Sequence, residues 1–207
     1  PGRYFYIRDN QSSDYWSASW QPVGKPLEQY NTICRHGTAY TIIETKYSGI
    51  KSEPTYFVPL GENFEYWRLK LTNESDKPRS LSVFSFCEFS NQWITFQDTV
   101  NLQYSLFIVK GTCLDNNLLR IAIHDNLNKD SDKEVTNDSA MNTWMALVGS
   151  PVTGYDTSRE AFLGTYRGYH NPTVVESGQC TNSNAYGDNG CGSLQANLSL
   201  QPGESRE

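Results

Sequence analysis

The chain has 207 residues, of which 37% are hydrophobic, 13% aromatic and 19% charged, and its formal net charge at pH 7 is −6. This length suffices for one domain with a sizeable core, and the aromatic content is too high for a disordered chain. The acidic balance argues against a nucleic-acid partner, and we expect no membrane partner, because no apolar stretch approaches the roughly 20 residues that span a bilayer.

Short aromatic and β-branched runs recur between turn residues, and no segment sustains an apolar period of 3.6 residues. The pattern predicts strands over residues 3–8, 38–47, 50–59, 64–73, 81–89, 102–111, 118–125, 143–149, 160–166 and 193–201. Pro54 lies within the third run and predicts an edge strand or a bulge there, since proline donates no ladder hydrogen bond. This spacing of strands and turns is typical of a large antiparallel β-sandwich.

The most polar segment, residues 124–142, mixes both charge signs and has few apolar residues. One interpretation is a long surface loop, and the other is a loop that projects towards a partner domain or a ligand. No internal repeat or low-complexity linker divides the chain. We therefore expect residues 1–207 to form a single all-β domain.

The cysteines are odd in number and lack CxxC spacing: Cys34, Cys87, Cys113, Cys180 and Cys191. This pattern favours reduced thiols and a cytoplasmic protein. The alternative is a disulfide between Cys180 and Cys191 across the loop that separates them.

Motifs for common catalytic chemistry are missing from the sequence. His36, His124 and His170 lie at no zinc-ligand spacing, and no phosphate-binding or nucleophile-elbow pattern occurs. Asp98 is the best isolated carboxylate, although a structural aspartate at a strand end is the simpler interpretation. What remains is a mixture of aromatic and polar residues, as in DYWSASW and TYRGYHNP. Such mixtures suit the apolar faces and hydroxyl rims of sugars, and they equally suit the core and loops of a sandwich.

Several long stretches carry a family resemblance: residues 2–73, residues 81–93, GYDTSREAFLGTYRGYHNPTVVESGQC at 154–180, and NAYGDNGCGSLQANLSLQPGES at 184–205. The chain resembles the amino-terminal β-sandwich of glycoside hydrolase family 94, a supersandwich of the galactose-mutarotase type. Members of this family are inverting phosphorylases of β-glucosyl disaccharides and oligosaccharides. WSASWQPVGKPLEQY and TNSNAYGDNGCGSLQ resemble cellodextrin phosphorylases most, with laminaribiose and cellobiose phosphorylases as alternatives.

The resemblance implies that the chain is a fragment, truncated at both ends, of a glycosyltransferase-type enzyme. The catalytic aspartate and the phosphate site are then expected in an (α/α)₆ barrel outside residues 1–207. The family reaction needs no metal or organic cofactor and uses inorganic phosphate as co-substrate. The implied partners are an oligosaccharide substrate, the catalytic barrel and a second copy of the chain in a homodimer. The hypothesis from another class is a stand-alone sugar-binding or structural sandwich.

The resemblance also suggests which side chains face sugar. His124, Asp125 and Asn126 lie where related enzymes carry a basic run similar to EYRER that faces the pocket, although this sequence lacks that run. The candidate sugar-facing residues are these three together with Trp93, Gln97, Tyr166 and Arg167. The alternative is packing for Trp93 and Tyr166, and a surface ion pair for Arg167.

The stretch SSDYWSASWQPVGKP, residues 12–26, places several rings in an otherwise polar segment. Composition leaves these rings open to a core role or a ligand role. The resemblance favours the first for Trp16 and Trp20, as anchors of the loop against the sandwich or a neighbouring domain.

Overall fold

The structure is a computed structural model, and it describes residues 2–89, 109–115, 117–123, 141–187 and 189–207. The strands are β1 (Arg3–Asp9), β2 (Tyr15–Ser17), β3 (Asn31–His36), β4 (Tyr40–Tyr47), β5 (Ile50–Phe57), β6 (Tyr66–Asn73), β7 (Arg79–Glu88), β8 (Val109–Leu114), β9 (Leu118–Ile123), β10 (Met141–Ala146), β11 (Gly154–Ser158), β12 (Gly190–Leu200) and β13 (Ser205–Arg206). The helices are α1 (Arg159–Leu163) and α2 (Thr173–Ser177), and a single 3₁₀ turn spans Leu27–Gln29.

The described strands form three antiparallel sheets. The central sheet has the order β11-β12-β7-β1-β2, the second sheet β13-β6-β5-β4-β3, and the third sheet β10-β9-β8. The prediction of an all-β antiparallel sandwich is confirmed. Within the parts of the chain that the structure describes, no helix is long and apolar enough to cross a membrane.

The core of the sandwich follows from the alternation of side chains along β1. Phe5 and Ile7 point to one face of the central sheet, where they pack with Trp16 and, from the second sheet, with Ile50 and Leu71. Burying a side chain of this size contributes about 1.5–3 kcal/mol to stability. This cluster therefore holds the two five-stranded sheets together.

The opposite face of the central sheet is buried as well, beneath the two helices. Tyr6 lies opposite Phe84 in the β1–β7 register, and both pack with Phe162 of α1 and with Val174 and Val175 of α2. A strand that is covered on both faces has few exposed positions, and in β7 every residue from Leu81 to Cys87 is buried.

The predicted strand at 160–166 is wrong, because most of that run forms α1. The Ser158 hydroxyl caps the helix by accepting a hydrogen bond from the Ala161 amide at 3.3 Å. Gly164, with φ +90°, ends it after five residues. The predicted run is short and contains aromatic residues, as a strand would, but the cap and the burial of Phe162 and Leu163 stabilise the helix.

The prediction of an edge strand or a bulge at Pro54 is also wrong. β5 lies between β4 and β6, and Pro54 is buried opposite Leu69. On the side that faces β4, two residues of each strand are skipped between the Ile42–Thr55 pair and the Thr45–Ser52 pair. The register is the same before and after this gap. An interior strand therefore accommodates the missing proline donor through a local gap in one ladder.

Candidate functional site

The sequence-predicted site residues fall on both sides of the boundary of the described structure. Trp93, Gln97, His124, Asp125 and Asn126 lie outside the described residues, as does Asp98. Tyr166 and Arg167 are described, and both lie in the loop that joins α1 to α2.

Tyr166 and Arg167 differ in how the domain holds them. The Tyr166 side chain is fully exposed and its backbone φ is +61°, so it does not pack against the described part of the domain. Arg167 forms an ion pair with Glu176 of α2 and donates to the Asn171 carbonyl oxygen at 3.2 Å. Arg167 therefore braces the loop, while Tyr166 projects from it into solvent.

Local contacts fix the shape of this loop. A Cβ atom on Gly164 would lie 2.1 Å from the Thr173 hydroxyl, so only glycine allows α1 to end against the start of α2. The Asn171 side chain accepts a hydrogen bond from the Gly168 amide at 2.9 Å. The loop is thus held at both ends by side chains of its own segment.

Beneath the loop lies a charged cluster that sequence reasoning missed. Glu88 Oε1 accepts hydrogen bonds from Arg159 Nε at 2.5 Å and from the Tyr169 hydroxyl at 2.6 Å. The Arg159 guanidinium also lies over the Tyr169 ring, 5.5 Å from its centroid. Burial is the main cause that raises the pKa of Tyr169, and the hydrogen bond to Glu88 is the second cause. The phenol therefore stays protonated. The arrangement neutralises its own charges and joins β7 to α1 and the loop.

A second polar cluster, also missed, surrounds the fully buried Asp156 of β11. Its carboxylate accepts from the Thr181 amide at 3.1 Å, the Ser183 amide at 3.0 Å and the Ser183 hydroxyl at 2.7 Å, and from the Thr181 hydroxyl. These bonds satisfy a buried carboxylate without a cation, so Asp156 fastens residues 181–183 to the sheet. The sequence carries no local signal for this cluster, because Asp156 lies 25 positions from Thr181.

The thiols of Cys180 and Cys191 are both buried and free, so the disulfide alternative is wrong. Cys191 Sγ instead faces the carbonyl oxygen of Asp156 at 3.8 Å. Burial, reinforced by the charge of Asp156, raises the pKa of both thiols well above its ordinary value. Both cysteines therefore serve as small packing residues beneath the helices.

The rings of the 12–26 stretch also have structural contacts. Trp16 is buried in the sandwich core with its ring 5.1 Å from that of Tyr47. Trp20 is half-buried, and its indole N–H donates to the Lys25 carbonyl oxygen at 2.7 Å. Trp16 is therefore a core anchor, and Trp20 closes its own turn.

The described residues lack the components of a metal centre: no group of three or more His, Cys, Asp or Glu side chains converges within them. Their fold and polar clusters define a β-supersandwich domain whose helices brace an exposed loop. The sequence matches the supersandwich-domain model of glycosyl hydrolase family 94 over residues 1–207, and the chain belongs to this family.

The relatives that the chain matches are phosphorylases. It is 41% identical over 204 residues to an N,N′-diacetylchitobiose phosphorylase of Vibrio proteolyticus and 32% identical over 205 residues to a solabiose phosphorylase of Paenibacillus borealis. It is 29% identical over 202 residues to a 3-O-β-D-glucopyranosyl-β-D-glucuronide phosphorylase of Paenibacillus borealis. These matches cover 99%, 98% and 98% of this chain but only 24% of each relative. The chain therefore spans about a quarter of the length of these curated relatives.

Proposed function

We propose that this chain is the supersandwich domain of an inverting phosphorylase that cleaves a β-linked disaccharide or short oligosaccharide with inorganic phosphate. The observation that carries the proposal is the family match over the whole chain, together with three relatives that are all saccharide phosphorylases. The stand-alone sandwich is the competing hypothesis. Several hundred further residues encoded after Glu207 in the same reading frame would exclude it.

The proposed reaction needs one general acid. A phosphate oxygen forms a bond to the anomeric carbon while the bond from that carbon to the glycosidic oxygen breaks, and a carboxylic acid gives its proton to the departing oxygen. Phosphate is already an anionic nucleophile, so the second carboxylate with which an inverting hydrolase activates water is unnecessary. Inversion at a β-linked sugar yields the α-sugar 1-phosphate.

The described carboxyl groups support a structural role for this domain and a catalytic acid elsewhere. A general acid needs a raised pKa, but each described carboxyl group with a clearly shifted pKa is shifted down: Asp9, Glu44 and Glu204. For Asp9 and Glu44, burial acts upwards and is outweighed by hydrogen bonds and cations, whereas for Glu204 a backbone hydrogen bond is the main cause. We propose, from the family resemblance, that the acid lies in the barrel.

Two substrates share a β-1,4 linkage and compete as candidates. The sequence motifs favour a cellodextrin, whereas the relative at 41% identity favours N,N′-diacetylchitobiose. Cellobiose and laminaribiose remain alternatives within the family, and laminaribiose differs in linkage. The exposed Tyr166 and the braced Arg167 are the described residues that we propose face the sugar.

The test uses the full-length protein with inorganic phosphate and, separately, cellotriose, N,N′-diacetylchitobiose, cellobiose and laminaribiose. Phosphorus NMR identifies any sugar 1-phosphate and its anomeric form. We expect an α-sugar 1-phosphate from a β-1,4-linked substrate, and its identity selects between the glucosyl and N-acetylglucosaminyl candidates. If none of the four saccharides yields a sugar phosphate, the proposal is overturned. Light scattering on the same sample measures the homodimer that we also propose.

A further inference from the structure

Tyr166, in the loop that joins α1 to α2, combines two features that do not stabilise the described domain. Its side chain is fully exposed, and its backbone φ of +61° lies in the left-handed region, which residues other than glycine seldom adopt. Backbone strain of this kind persists only where surrounding contacts fix it, and it is typical of functional sites. The contacts that hold the loop therefore bear on what Tyr166 does.

The loop is attached to the rest of the domain through Tyr169. The buried Tyr6 hydroxyl of β1 donates to the Tyr169 carbonyl oxygen at 2.8 Å, which fixes the backbone. The Tyr169 phenol donates to Glu88 Oε1, at the end of β7, at 2.6 Å and accepts from Arg159 Nη2, at the start of α1, at 3.2 Å. Both the backbone and the side chain of Tyr169 are therefore bonded to a strand or a helix.

The bonds of the Tyr169 hydroxyl set an orientation as well as an attachment. Hydrogen bonds weaken steeply away from a narrow range of angles, and those to an ionised group are stronger than neutral ones. Glu88 Oε1 also accepts from Arg159 Nε at 2.5 Å, so the carboxylate and the guanidinium hold each other in place around the phenol. A hydroxyl that accepts on one side and donates on the other has one favoured position, which ring packing alone does not specify.

We propose that Tyr169, held by Glu88 and Arg159, is a positioning residue that orients Tyr166 towards the saccharide. The inference rests on the proposed function and deepens it, because it adds a determinant of saccharide binding that does not itself contact the sugar. A displacement of about 1 Å in a binding group is enough to weaken its contact with substrate strongly. The phosphate site is expected outside this domain, so the cluster should act on saccharide binding and leave phosphate binding unchanged.

The first test is Tyr169→Phe in the full-length protein, a change that keeps the ring and removes the hydroxyl. We expect the KM for the saccharide to rise about five-fold, while kcat and the KM for inorganic phosphate change by less than about two-fold, since only a binding contact is weakened. Tyr47→Phe is the matched control, because the Tyr47 hydroxyl donates to Asp14 Oδ2 at 3.0 Å in another part of the domain. It removes the same kind of bond and should leave both KM values unchanged.

A double-mutant cycle tests whether Tyr169 acts through Tyr166. Tyr166→Ala alone should raise the KM for the saccharide about ten-fold, the scale expected for truncating one aromatic contact. Adding Tyr169→Phe to Tyr166→Ala should raise it by less than about two-fold further, because the group that Tyr169 positions is then gone. Effects that multiply fully in the double variant would overturn the proposal.

Hydrogen–deuterium exchange of the same full-length variants measures the loop without reference to activity. The amides of Arg167, Gly168 and Asn171 are bonded within the loop, so their exchange reports its order. Tyr169→Phe should speed their exchange about ten-fold, and Tyr47→Phe should not. Unchanged exchange in Tyr169→Phe would contradict the proposal.

The two readouts separate this inference from the proposed function. An active enzyme whose KM for the saccharide is the same in Tyr169→Phe disproves the positioning role alone. An inactive wild-type protein whose loop loosens in Tyr169→Phe disproves the phosphorylase proposal alone.

Discussion

The two faces of the central sheet are both buried, but they are covered in different ways. The face towards the second sheet carries aliphatic and aromatic side chains and is bounded by a buried ion pair between Asp9 and Arg79. The face towards the helices carries a set of rings, in which Phe86 stacks on Phe162 at 4.6 Å. The first face joins two sheets, whereas the second orders two short helices and the loop that carries Tyr166. Damage to each face should therefore have different consequences.

The largest effect is expected on the helix face, from Phe162→Ala. Phe162 is fully buried against Phe86 and Tyr6, and truncation should leave a cavity and cost about 4 kcal/mol. A five-residue helix has little stability without such packing, so α1 and the following loop should open before the rest of the sheet. Hydrogen–deuterium exchange of the full-length protein measures this through peptides from α1 and β7.

Tyr166→Ala is the control for that experiment, because Tyr166 is a fully exposed ring in the adjoining loop. It should change protection by no more than about 0.5 kcal/mol. Equal loss of protection in the two variants would show that the rings beneath the helices do not hold them.

Arg79→Ala should have the next largest effect, on the face towards the second sheet. Arg79 Nη2 donates to Asp9 Oδ2 at 2.6 Å, and both side chains are less than 10% exposed. Removing the guanidinium leaves a buried carboxylate without its cation, which should cost about 3 kcal/mol. The control is Arg206→Ala, whose solvent-screened ion pair with Glu204 should contribute little to stability. Faster exchange in β1 and β7 for Arg79→Ala alone is the expected result.

The comparison of the two faces also explains which elements could be predicted from the sequence. The strand predicted at 81–89 corresponds to β7, because a run of β-branched and aromatic residues bounded by turns is a local signal. α1 was missed because five residues are too few to show a helical period, and its stability depends on Phe86, a residue far away in the chain. Pro54 was placed wrongly because the order of strands in a sheet is not a local property.

The family resemblance is the source of the site predictions. Tyr166 and Arg167 came from matching motifs, and their role against a sugar stays a prediction. The clusters beneath them join residues that are far apart, since Glu88 and Tyr169 are 81 positions apart and Asp156 and Ser183 are 27 apart. Such contacts depend on strand pairing between β7, β11 and β12, which no local pattern specifies.

The smallest expected effect is the response of the Asp9–Arg79 pair to acid. Burial alone would raise the pKa of Asp9, but the Gln11 amide and the Arg79 guanidinium outweigh it and hold this pKa below its ordinary value of 3.8. A carboxyl group with a lowered folded-state pKa contributes stability above its unfolded pKa and loses that contribution as the pH falls through the folded pKa. Acidification should cost less than Arg79→Ala, because protonated Asp9 can still hydrogen-bond and Arg79 keeps its 2.6 Å bond to the Ser48 carbonyl oxygen.

The variant Asp9→Asn isolates this contribution, since it keeps the shape of the side chain but cannot titrate. The wild-type protein should exceed Asp9→Asn in the stability of β1 and β7 by a constant margin from neutral pH to about one unit above 3.8. Below 3.8 the margin should shrink, whereas Glu44 and Glu204, whose pKa values are also lowered, titrate alike in both proteins and cancel from the difference. Exchange rates corrected for their intrinsic pH dependence give the margin. A margin that stays constant below 3.8 would mean that the carboxylate of Asp9 does not stabilise this face of the sheet through its charge.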